Sequence, residues 1–261
     1  MRQIFYRLVG AHDFPKTETF YGTLCHHLAN ARRARVIPFD AIRDDGVTTV
    51  RMEHFDDEDH FRRHVRYLGE NCRRNLMATQ PLHLEVWCEA AGMIHQLAAV
   101  AHRYSIRVYS SSGFDSLTAK KAIADRICET AKPAVILHLG DFDPSGESIF
   151  EAVAEDVEEF VEADRTWGEV FVNFERVALT GKQVKAFDLP TAPARATDSR
   201  SKSWSGETCQ LEALTPTQIA EILEAAIERW IAPVQMIFDR RAEADERTRL
   251  TRLLAAPVGA A

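Results

Sequence analysis

The pattern that most constrains this chain begins at Pro81. From there, short β-type runs alternate with helical ones. Leu82 to Trp87 alternates as a strand, Ala90 to Tyr104 has helical spacing, and Ile106 to Tyr109 is a strand. Leu117 to Glu129 is a helix, Ala134 to Leu139 is a continuous apolar run of buried-strand type, and Ser148 to Val161 is a helix. Strands separated by such helices run parallel, because each helix returns the chain to the starting edge of the sheet. The expectation is therefore an α/β domain over 81–190 with a parallel sheet flanked by helices. Val170 to Leu179 adds a further strand and Thr180 to Phe187 a short helix. Beyond lies an extension, 191–261. It opens with a Pro-, Ala-, Ser-, Arg- and Lys-rich loop over Thr191 to Gly206, and a last helix starts at Thr215 with Pro216 in its first turn.

Upstream, Arg2 to Val9 reads as a helix ending at Gly10, and Thr17 to Ala34 as a second with Arg32, Arg33 and Arg35 at its end. Asp44-Asp45-Gly46 is a turn signal and Val47 to Met52 a β-branched run. Helices followed by a short strand pair suggest a small winged-helix-like segment over 1–56. A basic amphipathic helix, Phe61 to Asn75, connects it to the sheet domain across 57–80. The chain has 261 residues, 46% apolar and 27% charged, which suits a packed globular protein and excludes wholesale disorder. A net charge of -7 argues against a simple nucleic-acid coat protein, although the first third is slightly basic and the rest acidic. Five scattered cysteines with no CxxC pair indicate neither a disulfide framework nor a zinc ribbon, and fit a reducing, cytoplasmic setting. No apolar run is long enough to span a bilayer, and MRQIFYRLVG turns polar too quickly for a secretory signal.

The chemistry concentrates in AVILHLGDFDPSGESIF. A buried strand ends at Gly140, and Asp141 and Asp143 follow at once, with Glu147 on the next helix. Ligands of open α/β sheets bind at the carboxyl ends of strands, and paired carboxylates there suit a hard divalent cation such as Mg²⁺. Pro144, Ser145 and Gly146 are expected to form a turn whose N–H groups, with the helix N-terminus, hold a phosphate. Capping and the helix dipole are the other use of acids at such positions. In LHLEVWCEAAG a second strand ends before Glu89, so adjacent parallel strands would bring Glu89 to the rim that carries Asp141 and Asp143.

Glu at the end of one strand, followed about fifty residues later by DxD after another, resembles the Toprim domain. The form DFDPSG is most similar to the A subunit of topoisomerase VI and to the related meiotic double-strand-break transesterases. Ser112-Gly113-Phe114-Asp115, with Thr118 and Lys120 after it, resembles the Gly-aromatic turn between the acidic motifs of those families. They open with a winged helix bearing Arg-x-Ile-aromatic-Tyr, and Arg2-Gln3-Ile4-Phe5-Tyr6 is similar. The resemblance implies a Mg²⁺-dependent DNA-cleaving protein in which Glu89, Asp141, Asp143 and Glu147 hold the metal and Tyr6 attacks the phosphodiester. It also implies a homodimer in which the tyrosine of one protomer meets the metal of its partner. The resemblance also implies a separate ATPase subunit, as the family's topoisomerase members need one; with no GxxxxGK[ST] loop here, strand passage by this chain alone is not expected. Only five residues precede Tyr6, whereas a full winged helix carries at least another helix upstream, so either the start is late or the fold is abbreviated.

A phenol with a pKa of ~10 is ionised in about one molecule in a thousand at pH 7, a deficit of about 4 kcal/mol. Arg2, one helical turn before Tyr6, and a nearby cation are the expected sources of compensation, with Glu89 sharing the catalytic role. Arg32, Arg33, Arg35, Lys120 and Lys121 are the candidate contacts to DNA phosphates. Three other readings stay open: a hydrolytic Toprim nuclease using water, a non-catalytic DNA-binding relative, and a haloacid-dehalogenase-like phosphatase built on DxDxS.

Overall fold

A computed structural model describes residues 1–42, 52, 54–111, 114, 116–166, 168, 171–194, 204 and 206–255. Its centre is a four-stranded parallel sheet of order β2-β1-β3-β4, built from β1 (His83–Cys88), β2 (Arg107–Ser110), β3 (Ala134–Leu139) and β4 (Val172–Ala178). The helices between these strands are α4 (Ile94–Ala101), α5 (Leu117–Thr130) and α6 (Pro144–Asp164). Strand periodicity sorts their side chains. Leu84, Val86, Cys88, Val135, Leu137 and Leu139 pack with Leu97 and Val100 of α4 and with Ile219, Leu223 and Ile227 of α8 (Pro216–Glu228). Trp87, Ala134 and Ile136 face the other way, onto Ile123 and Ile127 of α5 and Val153, Val157 and Val161 of α6. Both faces are covered, as a parallel sheet requires. The expected α/β sheet flanked by helices is the fold observed.

The chain leaves β1 outward to β2, then crosses back to β3 on the other side of β1. Strand order therefore reverses between β1 and β3, and the crevice at their carboxyl ends is where such sheets hold ligands. Cys88 and Leu139, the last residues of the two strands, are partners in register.

Several boundaries differ from the sequence reading. The helix expected over Ala90 to Tyr104 is α4 with a turn of 3-10 helix at each end, Ala91–Met93 and His102–Tyr104, closed by Ser105 in the left-handed region at φ 59°. The connecting helix, α3 (Glu58–Glu70), starts earlier because the Asp57 side chain accepts from the His60 N–H, and it ends before Asn75. Thr215 and Gln218 form a reciprocal capping box that fixes the start of α8, but α8 is not the last helix. A further helix, α9 (Pro233–Ala255), packs against α3. Its buried positions include Asp239 and Glu243, so it lacks the apolar stripe by which a helix is recognised in sequence. Glu243 accepts from the Arg74 N–H at 2.9 Å and from Arg247 Nη2 at 2.6 Å, which satisfies the buried carboxylate.

At the amino end, α1 (Arg2–His12) runs through Gly10 to a left-handed Asp13, and α2 (Glu18–Arg33) is capped by Thr17. The Asp44-Asp45-Gly46 turn and the Val47 to Arg51 part of the β-branched run lie outside the described residues. So do Ser112, Gly113 and Asp115. Phe114 packs edge-on against Trp87, with ring centroids 4.8 Å apart. The loop after α7 (Gly181–Ala186) forms a two-residue ribbon, β5 (Ala192–Pro193) with β6 (Glu207–Thr208). Among the described residues, no helix is long and apolar enough to cross a membrane.

Candidate metal and nucleophile site

Strand ends and one helix start deliver the acids. Glu89 directly follows β1, its N–H donating to the Leu139 carbonyl at 3.0 Å, and its Oε2 accepts from the Asp141 N–H at 3.2 Å. Residues 89 and 141 are thus neighbours across the β1–β3 seam. Asp143 caps α6, its Oδ1 accepting from the Gly146 N–H at 2.7 Å. Helix α6 begins at Pro144, not at Ser148. Pro144, Ser145 and Gly146 are its first turn, Pro144 has no N–H, and that of Gly146 is taken by Asp143. Of the N–H groups expected to hold a phosphate, that of Gly146 is therefore already engaged by Asp143 and Pro144 supplies none. Glu147 sits in the same first turn.

Two glycines leave room for the carboxylates. A Cβ on Gly140 would stand 2.7 Å from Glu89 Oε2 and 2.7 Å from His138 Cε1. A Cβ on Gly146 would stand 2.9 Å from the Asp141 carbonyl oxygen, 3.1 Å from Glu89 Oε2 and 3.2 Å from Asp143 Oδ1. Glu89 and Asp143 therefore flank the same point in space. Gly146→Ala is expected to displace both oxygens, costing about 1–3 kcal/mol of stability and weakening divalent-cation binding more than tenfold. A thermal-shift titration with Mg²⁺ checks it, and an unchanged midpoint would rule out this cradle.

Electrostatics fit a cation. Burial, with the charges of Glu212, Glu89 and Asp143, pushes the Asp141 carboxyl up to about 7, against the pull of the Leu211 N–H that donates to its Oδ1 at 2.8 Å. Burial likewise raises Glu89, with Asp143 and Glu212 adding to the effect and the Asp141 N–H and Arg176 opposing it. Like charges gathered at a partly buried rim favour a nearby counter-charge, and carboxylate oxygens are the ligand type a hard divalent ion takes. Among the described residues no group of three or more His, Cys, Asp or Glu side chains stands as a preformed ion cage. Glu89 and Asp143 are the pair that already face one point. Beneath them His138 lies 3% exposed, stacked on Phe150 at 4.2 Å, with burial followed by the Arg176 charge pushing it down to about 3.

Arg176, Gln210 and Glu212 were not picked out from the sequence. On β4, the Arg176 guanidinium donates to the carbonyls of Asp141, of Leu179 at 3.2 Å and of Gly146 at 3.4 Å, so it clamps the acidic loop by its backbone. The available signal was a lone arginine near the carboxyl end of a strand. Gln210 and Glu212 arrive on the segment after β6, where Cys209 and Phe142 exchange backbone bonds of 3.0 and 2.8 Å. No periodicity marks them.

Tyr6 lies on α1, which packs against the turn Leu211–Ala213 of the same chain. It is 5% exposed and its hydroxyl donates to Gln210 Oε1. Arg2 Nη1 donates to that oxygen at 2.9 Å. Burial first, then the charges of Glu212 and Asp141, raise the Tyr6 pKa, and Arg2 offsets this only in part. The expected activation by Arg2 is thus outweighed in this arrangement.

The basic candidates divide. Lys120 is buried with its ammonium on Asp156, and Lys121 bonds Asp125 and, at 3.0 Å, Asp164. Both are engaged by acids of α5 and α6. At the end of α2, Arg32 donates to the Phe39 carbonyl at 3.0 Å and lies over its ring, as does Arg35, and Arg33 donates to Asn30. Arg33 and Arg35 are exposed. Comparison with protein-family models, curated proteins and solved structures finds no match to this chain.

Proposed function

We propose that this chain is a Mg²⁺-dependent DNA strand-cleaving protein, similar to the Toprim-bearing A subunit of topoisomerase VI. The observation that carries the reading is the meeting of Glu89 with Asp141 and Asp143 across the β1–β3 switch point, around the glycines that make room for them. Glu89 and Asp143 would hold the ion, with Asp141 and Glu147 beside them. When bound, Mg²⁺ would supply charge stabilisation for the pentavalent phosphorus. Arg176 keeps the acidic loop in register through its three carbonyl contacts. Tyr6 is the nucleophile, and Arg2 and Gln210 orient its hydroxyl. DNA approaches over the exposed Arg33 and Arg35, and two copies are needed to cut both strands.

A second reading is hydrolysis, in which water replaces the phenol. It is favoured by one observation, the burial of Tyr6 among acids that resist its ionisation. Supercoiled plasmid incubated with the protein separates the two. Nicking in Mg²⁺, its loss in EDTA and in Glu89→Ala, and a denaturant-stable protein–DNA adduct absent from Tyr6→Phe are the expected results. Nicking that persists in Tyr6→Phe without an adduct establishes hydrolysis, and nicking indifferent to Glu89→Ala discards the metal site.

A further inference from the structure

We infer that His138 supplies a nitrogen ligand to the ion held by Glu89 and Asp143, and that the site therefore favours a transition-metal ion such as Mn²⁺ over Mg²⁺. This deepens the metal reading above and rests on it. Carboxylates alone would make an all-oxygen site. The sheet places the imidazole beside them. Side chains alternate between the faces of a strand, so Ile136 and His138 of β3 both point toward α5 and α6. His138 pairs in register with Trp87, one step before the pair Cys88 and Leu139 that ends the two strands. The next position on that face is Gly140, which carries no side chain. A Cβ there would stand 2.7 Å from His138 Cε1, 3.4 Å from its Nε2 and 2.7 Å from Glu89 Oε2. Ring edge and carboxylate therefore face one another across the space that the glycine leaves open.

The imidazole has no other employment in the fold. It is 3% exposed, its face stacked on Phe150 at 4.2 Å and 13°, and its Nδ1 is buried without a hydrogen-bond partner among the described residues. A leucine or phenylalanine would fill this place and leave no polar atom unsatisfied. Burial and the Arg176 charge keep the ring neutral, the form whose nitrogen lone pair binds cations. Among the described residues these side chains are not a finished cage, and Gly140 leaves the room in which an ion gathers them. Imidazole suits first-row transition ions, whereas Mg²⁺ keeps to oxygen and gives up its waters reluctantly. A nitrogen donor beside two carboxylates thus shifts the preference toward the transition ion.

Pulsed electron paramagnetic resonance of the frozen, Mn²⁺-loaded protein tests the ligand directly. The echo decay is expected to carry ¹⁴N modulation that moves to ¹⁵N frequencies in protein labelled with ¹⁵N-histidine. It is expected to vanish in His138→Phe, which keeps a ring to stack on Phe150. Wild-type protein that binds Mn²⁺ without nitrogen modulation overturns the inference, and that result needs no variant to fold. Modulation that survives in folded His138→Phe overturns it too, because another histidine is then the ligand. Thermal-shift titrations give a second readout. His138→Phe is expected to raise the Mn²⁺ midpoint about tenfold and the Mg²⁺ midpoint less than about twofold. Equal changes for the two ions, or none, overturn the preference. Glu89→Ala separates these results from failure of the metal reading itself. If Mn²⁺ binds wild type and Glu89→Ala equally, the acids hold no ion and both readings fall. Binding lost in Glu89→Ala, with no nitrogen modulation in wild type, keeps the acids and removes His138 alone.

Discussion

Asp141→Asn is expected to lower Mg²⁺-dependent nicking by at least about a hundredfold, since a metal's charge stabilisation is worth several kcal/mol. The same substitution is expected to stabilise the metal-free protein at pH 8. Folding raises the Asp141 carboxyl from 3.8 to about 7, through burial and then the nearby Glu212, Glu89 and Asp143. Between those values the folded state binds a proton that the unfolded state has lost, so stability falls as pH rises through that window. Above it the folded protein carries a buried, repelled carboxylate. Asparagine keeps an oxygen for the Leu211 N–H without the charge, so the gain at pH 8 is about 1–3 kcal/mol and vanishes at pH 3. Mg²⁺ reverses the order, raising the melting temperature of the wild type and not of the variant. Equal melting temperatures at pH 8, with and without Mg²⁺, would mean that no cation site exists at this rim.

The largest structural loss is expected from Arg126→Met. Glu85 is 1% exposed in the middle of β1, where a carboxylate has no place unless it is fully partnered. Arg126 of α5 binds it with two bonds of 3.1 Å, Trp87 Nε1 donates at 2.9 Å, and His83 Nε2 lies at 3.1 Å. Burial pushes Glu85 up, but the bonds from His83 and Arg126 and the Arg126 charge outweigh it and bring the carboxyl down to about 2. Removing the guanidinium strands a buried charge, a change that costs about 3–5 kcal/mol. A double replacement, Glu85→Leu with Arg126→Met, is expected to recover most of that, because two apolar side chains of similar volume need no partner. The folded carboxyl lies below its unfolded value of 4.5, so its contribution is complete above pH 4.5 and disappears as pH falls through about 2. Urea unfolding of the three proteins at pH 7 checks this. A loss below 1 kcal/mol in the single variant would show that Glu85 is satisfied without Arg126.

Ala134 to Leu139 is both the expected strand and β3, residue for residue, because six consecutive apolar-rich positions between turns leave a buried strand no other register. Helix α5 was equally legible, since its apolar spacing carries through to Ile127. The connection from α3 to α9 was not. The polar contacts that hold α9 go to Arg74, just after α3, and to Arg247 of α9 itself, with carboxylates against arginines and a backbone N–H that look in sequence like any solvated helix face. The acids at 89, 141 and 143 were legible because strand ends in a parallel sheet share one rim. The start of α6 was misjudged, because Pro144 and Gly146 read as a turn until Asp143 is seen to cap them.

What the sequence determined by itself is mostly local: the hydrophobic period, the order of the sheet strands and of the helices between them, and the acids that follow β1 and β3. Those depend on neighbours within a few residues, and physical chemistry acts there without knowing the rest of the fold. Tertiary structure alone decided that β1 and β3 are adjacent, that Arg176 clamps the loop between them, and that Gln210 lies between Tyr6 and Asp141. Contacts between residues so far apart in the chain arise from packing layers on both faces of the sheet, and no spacing in the sequence encodes them.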